Sequence, residues 1–133
     1  MASHNLNPVF KHVEYIQKFK FPGDTYDCLV DVFCLCYLSE KEIEAFLPKM
    51  EDSLTSLGYI VLMEPVLQVG EAMNERMFKE KGQHMMIRSA KYYLRLFKKN
   101  QVKVMWTRRD EKKGQLAEET MTFVLRDGTC YYQ

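Results

Sequence analysis

At 133 residues, 47% hydrophobic and 28% charged, the chain has the length and composition of one globular domain with a buried core, which sets intrinsic disorder aside. Nineteen Lys and Arg against 18 Asp and Glu leave a net charge of +1, so no global field draws the chain to nucleic acid or to an anionic membrane. The start MASHNLNPVF lacks a secretory signal, no apolar run approaches the ~18 residues of a spanning helix, and Cys28, Cys34, Cys36 and Cys130 form no disulfide framework. A soluble intracellular protein with reduced thiols is expected, in the cytosol, the nucleus or an organelle interior.

The first clear element is Tyr26 to Leu38, YDCLVDVFCLCYL. This nearly unbroken apolar run has poor alternation, the pattern of a strand buried on both faces. Ser39 followed by Glu42 makes a capping box, so a helix starts there. Ile43, Phe46, Leu47, Met50, Leu54 and Leu57 recur on one helical face, and Gly58 is expected to end it in a left-handed conformation. Pro48 within that span predicts a kink or a break.

Tyr59 to Met63, YIVLM, is a second short strand, parallel to the first through a right-handed crossover. Pro65 to His84 is polar, dotted with Met and expected to be irregular. Ser89 caps a further helix, AKYYLRLFKK, closed by Asn100. Gln101 to Arg109 and Glu118 to Arg126 alternate as an antiparallel pair. The order strand, helix, strand, helix, strand, strand is half of a doubly wound α/β sheet.

The segments YDCLVDVFCLCYLSEKEIEAFL, LGYIVLMEP, MIRSAKYYLRLFKKNQVKVMWTRR and TFVLRD, in that order, resemble the C-terminal half of class I methyltransferases that use S-adenosylmethionine. The nearest resemblance is to the protein N-terminal (α-amino) methyltransferases, over about Tyr15 to Arg126, with an IRS-like signature before the last helix. It implies an α/β fold, a truncated doubly wound, Rossmann-like methyltransferase sheet whose parallel strands end in an antiparallel hairpin. Residues 1–133 are then one partial domain that lacks the donor-binding N-terminal half. Class I enzymes approach the donor with a Gly-rich turn after the first strand. Here no two glycines have G-x-G spacing, and only 25 residues precede Tyr26.

The resemblance carries over residue by residue. Gln17, in IQKF, matches a position beside the donor adenine and is the cofactor-binding candidate. Where the family places tryptophans, a glutamine and a histidine around donor and substrate amine, this chain has Val30, Val32, Phe33 and Tyr37. The acidic-amide pair after the fifth strand becomes Glu64-Pro65, and a family aspartate falls near Gln83, where no carboxylate stands. Tyr37 and Glu64 are thus the positional catalytic candidates. Amine methylation needs a proton removed before the nitrogen can attack, and tyrosine, with a pKa of about 10, is a weak base for that at neutral pH.

Other conspicuous residues have structural readings. Cys34 and Cys36 lack a second paired motif and zinc-like spacing to any histidine, so they are expected as buried thiols, with no metal site. Asp31, a carboxylate in an apolar strand, must be hydrogen-bonded, paired or protonated. His84, Met85 and Met86 are expected in core packing. Lys98, Lys99, Lys103, Arg108 and Arg109 suit a helix end and solvated strand positions better than nucleic acid.

Without the donor half, the Tyr26–Leu38 strand is a bare edge and one apolar face loses its cover. Val9, Phe10, Val13, Tyr15, Ile16 and Phe19 can lay a short segment over part of that surface. Another protein subunit, or a second copy, is expected to complete the rest. These readings lead to a non-catalytic, methyltransferase-like interaction subunit that binds no cofactor in isolation. The enzymatic alternative is the substrate-side half of an S-adenosylmethionine-dependent protein N-terminal methyltransferase completed by another chain, and a truncated gene product is the third possibility.

Overall fold

A computed structural model describes residues 20–70, 75–80, 83–111 and 119–128. Tyr26–Val32 forms β1, which runs parallel to β2, Leu54–Val66, with Leu29 opposite Ile60 and Val32 opposite Met63. β1 is shorter than the apolar run suggested and is not buried on both faces, since Val30 is 65% exposed. The run YDCLVDVFCLCYL encodes two structures. Its first part is a strand, and after Phe33, at φ 56°, a 3-10 turn over Leu35–Tyr37 drops Leu35, Cys36 and Leu38 into the core.

Ser39 then caps α1, Glu40–Asp52, with the expected capping box: the Glu42 amide donates to the Ser39 hydroxyl at 3.2 Å and the Ser39 amide to the Glu42 carboxylate at 2.9 Å. Ile43, Phe46, Leu47 and Met50 are buried. The helix runs on through Pro48 without the expected break, because one lost backbone bond is outweighed by the buried side chains on both sides of it. It ends at Asp52, where the Ser53 hydroxyl donates to the Met50 carbonyl at 2.6 Å. Leu54, Leu57 and Gly58 therefore belong to β2 rather than to the helix. Gly58 is needed for space, not for a left-handed turn. It sits beside a register shift between Tyr26 and Cys28, where a Cβ would lie 2.8 Å from the Tyr26 carbonyl oxygen.

The stretch expected to be irregular contains the end of β2 and most of an antiparallel hairpin, β3 (Glu75–Glu80) and β4 (Gln83–Arg88). Charged residues in ERMFKE hide its alternation. Met85 and Met86 are accordingly half-buried hairpin residues, His84 is exposed, and only Ile87 of that strand enters the core as an apolar residue. β4 meets the end of β2 in parallel, Val66 opposite Arg88. Ser89 caps α2, Ala90–Lys99, accepting from the Tyr92 amide at 3.0 Å, and Asn100 closes it. β5 (Val102–Asp110) and β6 (Glu119–Asp127) are antiparallel, and β6 also lies antiparallel to β2. The sheet order is β3-β4-β2-β6-β5, with β1 paired to β2 alone.

Both helices cover the same face of this sheet. Ile60, Leu62, Phe123 and Leu125 face α1 and α2, and Phe123 packs edge-on against Tyr93 and Phe97 at ring separations of 5.8 and 5.2 Å. The register places Val30, Val61, Val124 and Trp106 in one row on the opposite face. Among the described residues no helix covers that row. Val9, Phe10, Val13, Tyr15, Ile16 and Phe19, expected from sequence to cover part of the exposed surface, lie outside the described residues. No described helix is long and apolar enough to cross a membrane.

Candidate functional site

Two of the sequence candidates, Tyr37 and Glu64, lie at the turn that follows β1. In open α/β sheets, ligands bind beyond the carboxyl ends of parallel strands, and β1 and β2 both end here. The Phe33 amide still donates to the Met63 carbonyl at 2.8 Å, so pairing with β2 persists up to the residue at which the backbone turns. A bulky side chain at positive φ costs roughly 1–2 kcal/mol, and such strain persists only where neighbours over-determine the conformation.

Two buried ionisable side chains do that. Glu64, on β2, is fully buried and accepts from the Cys36 amide at 2.9 Å. Arg88, at the end of β4, donates to the carbonyls of Leu35 at 3.1 Å and Leu38 at 2.7 Å. The 3-10 turn is therefore held at its amide side by the Glu64 carboxyl and at its carbonyl side by the Arg88 guanidinium. Arg88 also stands 3.9 Å from the Glu75 carboxylate and 5.3 Å from the centre of the Tyr92 ring. The IRS-like signature acquires a physical meaning in Ile87, a core residue, Arg88, the clamp, and Ser89, the helix cap.

Asp31 lies under the same turn, only 5% exposed, and neither of its oxygens has a hydrogen-bond partner of good geometry. Burial pushes its carboxyl up from the ordinary value, and the Cys34 thiol and amide offset part of that. Glu64 is pushed up to about 8, first by burial and then by repulsion from Asp31, against the pull of the Cys36 amide and Arg88. Its second oxygen and the Tyr93 hydroxyl are also buried without partners. The two carboxyls thus form a coupled pair that retains a proton at neutral pH. Burial and the neighbouring carboxyls raise both the Cys34 and the Cys36 thiol, so neither is a thiolate available as nucleophile or metal ligand. Cys36 is buried, Cys34 half-buried and Cys28 exposed. No cluster of metal-ligating side chains occurs among the described residues.

The two catalytic candidates end up on opposite sides of one peptide. Tyr37 is 47% exposed on the outer side of the turn, whereas Glu64 is turned inward onto the preceding residue, Cys36. Gln17 lies outside the described residues, and Gln83 opens β4. The basic cluster disperses: Lys99 pairs with Glu44, Arg108 with Asp110 and Arg109 with Glu119. Arg88 was missed as a functional position because a lone arginine next to a helix cap looks like surface. Its signal was its place inside an apolar stretch, MMIRSA, where a charge must be paired.

The fold has counterparts among solved structures. The chain is similar to an S-adenosylmethionine-dependent methyltransferase from Leishmania major, at 24% identity and TM-score 0.68, over 83% of this chain and 42% of that one. The chain has a Rossmann-like methyltransferase fold. It is also similar to the 1,6-didemethyltoxoflavin-N1-methyltransferase of Burkholderia thailandensis, solved with 1,6-didemethyltoxoflavin and S-adenosylhomocysteine (11% identity, TM-score 0.68, 84% and 47% of the two chains). A third is an S-adenosylmethionine-dependent methyltransferase from Methanosarcina mazei (11% identity, TM-score 0.66, 84% and 63%). The chain spans between 42% and 63% of the length of these three proteins. No protein-family model matches it, and no curated protein does.

The described residues do not fit the methyl donor that this fold family uses. Their glycines are Gly23 before β1, Gly58 inside β2, Gly70 after it and Gly128 after β6, and none lies between a strand and the helix that follows it. In the passage from β1 into α1, Leu35, Cys36 and Leu38 are buried and Phe33 is half-buried, and no glycine is present.

Proposed function

We propose that this chain is a non-catalytic, methyltransferase-like subunit that acts as a structural or interaction component of a larger assembly. The observation that carries the reading is the one-sided sheet: helices cover one face, while on the other Val30, Val32, Tyr59 and Trp106 stand exposed beside a β1 edge that pairs with nothing among the described residues. Apolar faces and strand edges of this kind are normally covered in stable soluble proteins. The chemistry points the same way. Glu64 is spent on holding the Cys36 amide, Pro65 stands where the resembling family has an amide, and Tyr37 replaces a histidine.

The test is light scattering of the purified full chain together with calorimetric titration with S-adenosylmethionine. Partner-dependent solubility or oligomerisation, without donor binding, is the expected result. A stable monodisperse monomer that binds the donor in the micromolar range would overturn the reading.

A second reading has its own supporting observation. The coupled pair Asp31 and Glu64, proton-bearing and lodged at the carboxyl ends of β1 and β2, is the kind of perturbed acid found in active sites. On that reading the chain is the substrate-side half of an S-adenosylmethionine-dependent protein N-terminal methyltransferase completed by another polypeptide. Donor binding that develops only when a partner is added would favour it.

A further inference from the structure

The turn that carries Tyr37 is held closed against two opposing features. The chain enters it through Phe33 at φ 56°, a conformation that works against closure. Burial of Leu35, Cys36 and Leu38 favours closure, as do the bond from the Cys36 amide to Glu64 and the two from Arg88 to the Leu35 and Leu38 carbonyls. The second opposing feature is charge.

Beneath the turn, Asp31 from β1 and Glu64 from β2 are 5% and 0% exposed, and neither Asp31 oxygen nor the second oxygen of Glu64 has a partner of good geometry. The positive charge acting on Glu64 is that of Arg88 from β4, which also serves Glu75 of β3 at 3.9 Å. The other groups facing the pair are neutral: the Cys34 and Cys36 thiols in the turn and the Tyr93 hydroxyl from α2. Tyr92 lies against Arg88 and donates to Glu40 of α1 at 2.6 Å. Ionising both Asp31 and Glu64 would therefore set two buried carboxylates against one shared guanidinium, an imbalance that a water-poor site penalises steeply. One proton on the pair restores the balance.

We propose that the turn between β1 and α1 is a proton-operated latch, closed while the pair Asp31 and Glu64 holds one proton and released locally, with the sheet intact, when that proton passes to water. The latch needs neither a partner nor the methyl donor, so it goes beyond both functional readings above. Its release would expose Cys36 and move Tyr37 at the carboxyl ends of β1 and β2, the end at which such sheets bind ligands.

The sign follows from where Glu64 holds its proton. In the closed turn burial and Asp31 push it up to about 8, and once open to water it returns to its ordinary value of 4.5. Between those values opening releases a proton, so the open fraction rises with pH by up to about tenfold per unit. Below the lower value and above the upper one it levels off.

Cys36 is 1% exposed and reacts only when the turn opens, whereas Cys28 is exposed throughout. The full chain is alkylated with iodoacetamide at half-unit intervals between about pH 5 and 9, and the modified peptides are quantified by mass spectrometry. Dividing the Cys36 rate by the Cys28 rate removes the pH dependence common to thiols. The ratio is expected to climb by up to about tenfold per unit and to level off near pH 8, and to stay flat in Glu64→Gln. Asp31→Asn leaves Glu64 titrating without its repelling neighbour, so there the rise should end at lower pH, which keeps the test decisive if Glu64→Gln fails to fold. Urea well below the unfolding transition should barely change the ratio, because a local opening exposes little surface.

A ratio independent of pH in the parent, or an equal rise in Glu64→Gln, would overturn the latch. Cys36 alkylation that follows urea with the full slope of global unfolding would overturn it as well, since the turn would then open only with the whole domain.

Discussion

The two faces of one sheet present opposite solutions to the same problem. Along β2, Ile60 and Leu62 point to a face where α1 and α2 exclude water, and their neighbours Leu125 and Phe123 are fully buried. One residue away along the same strand, Val61 points to the other face, between Val30 and Val124, where exposure rises toward both ends of the row. Chemically the two rows are alike, apolar and rich in β-branched or aromatic residues. What separates them is the presence of a second layer, so this sheet carries the side chains of a two-sided fold while its described elements build one side.

A pair of truncations would sharpen that contrast most. Phe123→Ala, on the covered face, removes the ring that packs between Tyr93 and Phe97 and should cost roughly 3–5 kcal/mol of stability in urea unfolding. Val124→Ala, its neighbour in sequence on the other face, should cost less than about 1 kcal/mol in the isolated chain. Comparable losses at both positions would mean that the outer face is packed in solution, and the comparison between faces would fail.

The next effect separates polar clamping from apolar packing on the covered side. Arg88→Met keeps much of the volume but leaves the Leu35 and Leu38 carbonyls without donors and Glu64 without its balancing charge. A loss of roughly 2–4 kcal/mol is expected in denaturant unfolding. Arg88→Lys should recover only part of it, because an ammonium cannot reproduce the two directed bonds of the guanidinium fork. Full recovery by lysine would mean that charge alone, not the fork, holds the turn.

Particular residues show how much of this was legible in the sequence. Ser39 with Glu42 marks the start of α1, and Ser89 with Asn100 marks both ends of α2, because capping is local chemistry between neighbours, whereas the end of α1 was read too late. The parallel pairing of YIVLM and the closing antiparallel pair were legible from apolar runs and alternation. The turn inside YDCLVDVFCLCYL was not, since a buried 3-10 turn and a buried strand draw on the same apolar residues and only tertiary contacts from Glu64 and Arg88 decide between them. Gly58 was misassigned for a similar reason. Its role comes from the Tyr26 carbonyl, 32 residues earlier, and not from the helix beside it. The β3–β4 hairpin was hidden because its exposed strands carry charges at the positions where alternation would be sought. Tyr37 and Glu64 were singled out by position alone, while the exposure of the one and the burial of the other against the Cys36 amide depended on the fold.

The smallest expected effect concerns the proton under the turn, and its sign is fixed by linkage. Glu64 is raised in the folded chain to about 8, whereas in the unfolded chain it titrates near its ordinary value of 4.5. Below the lower value both states hold the proton and pH has no influence through this group. Between the two values the folded state binds more protons than the unfolded state, so stability falls as pH rises, and above the upper value the loss is complete. Glu64→Gln keeps an oxygen for the Cys36 amide but has no charge to bury, so it should remove that slope. At pH 9 the variant is expected to be more stable than the parent by on the order of 1–3 kcal/mol, and at pH 4 to match it closely. Asp31 and Glu51 are raised in the same direction and will leave a residual slope in both proteins, so the difference between the two curves isolates Glu64. Thermal melts at half-unit intervals would measure it. A difference independent of pH would mean that Glu64 is already ionised under the turn and that its attraction to Arg88 outweighs burial.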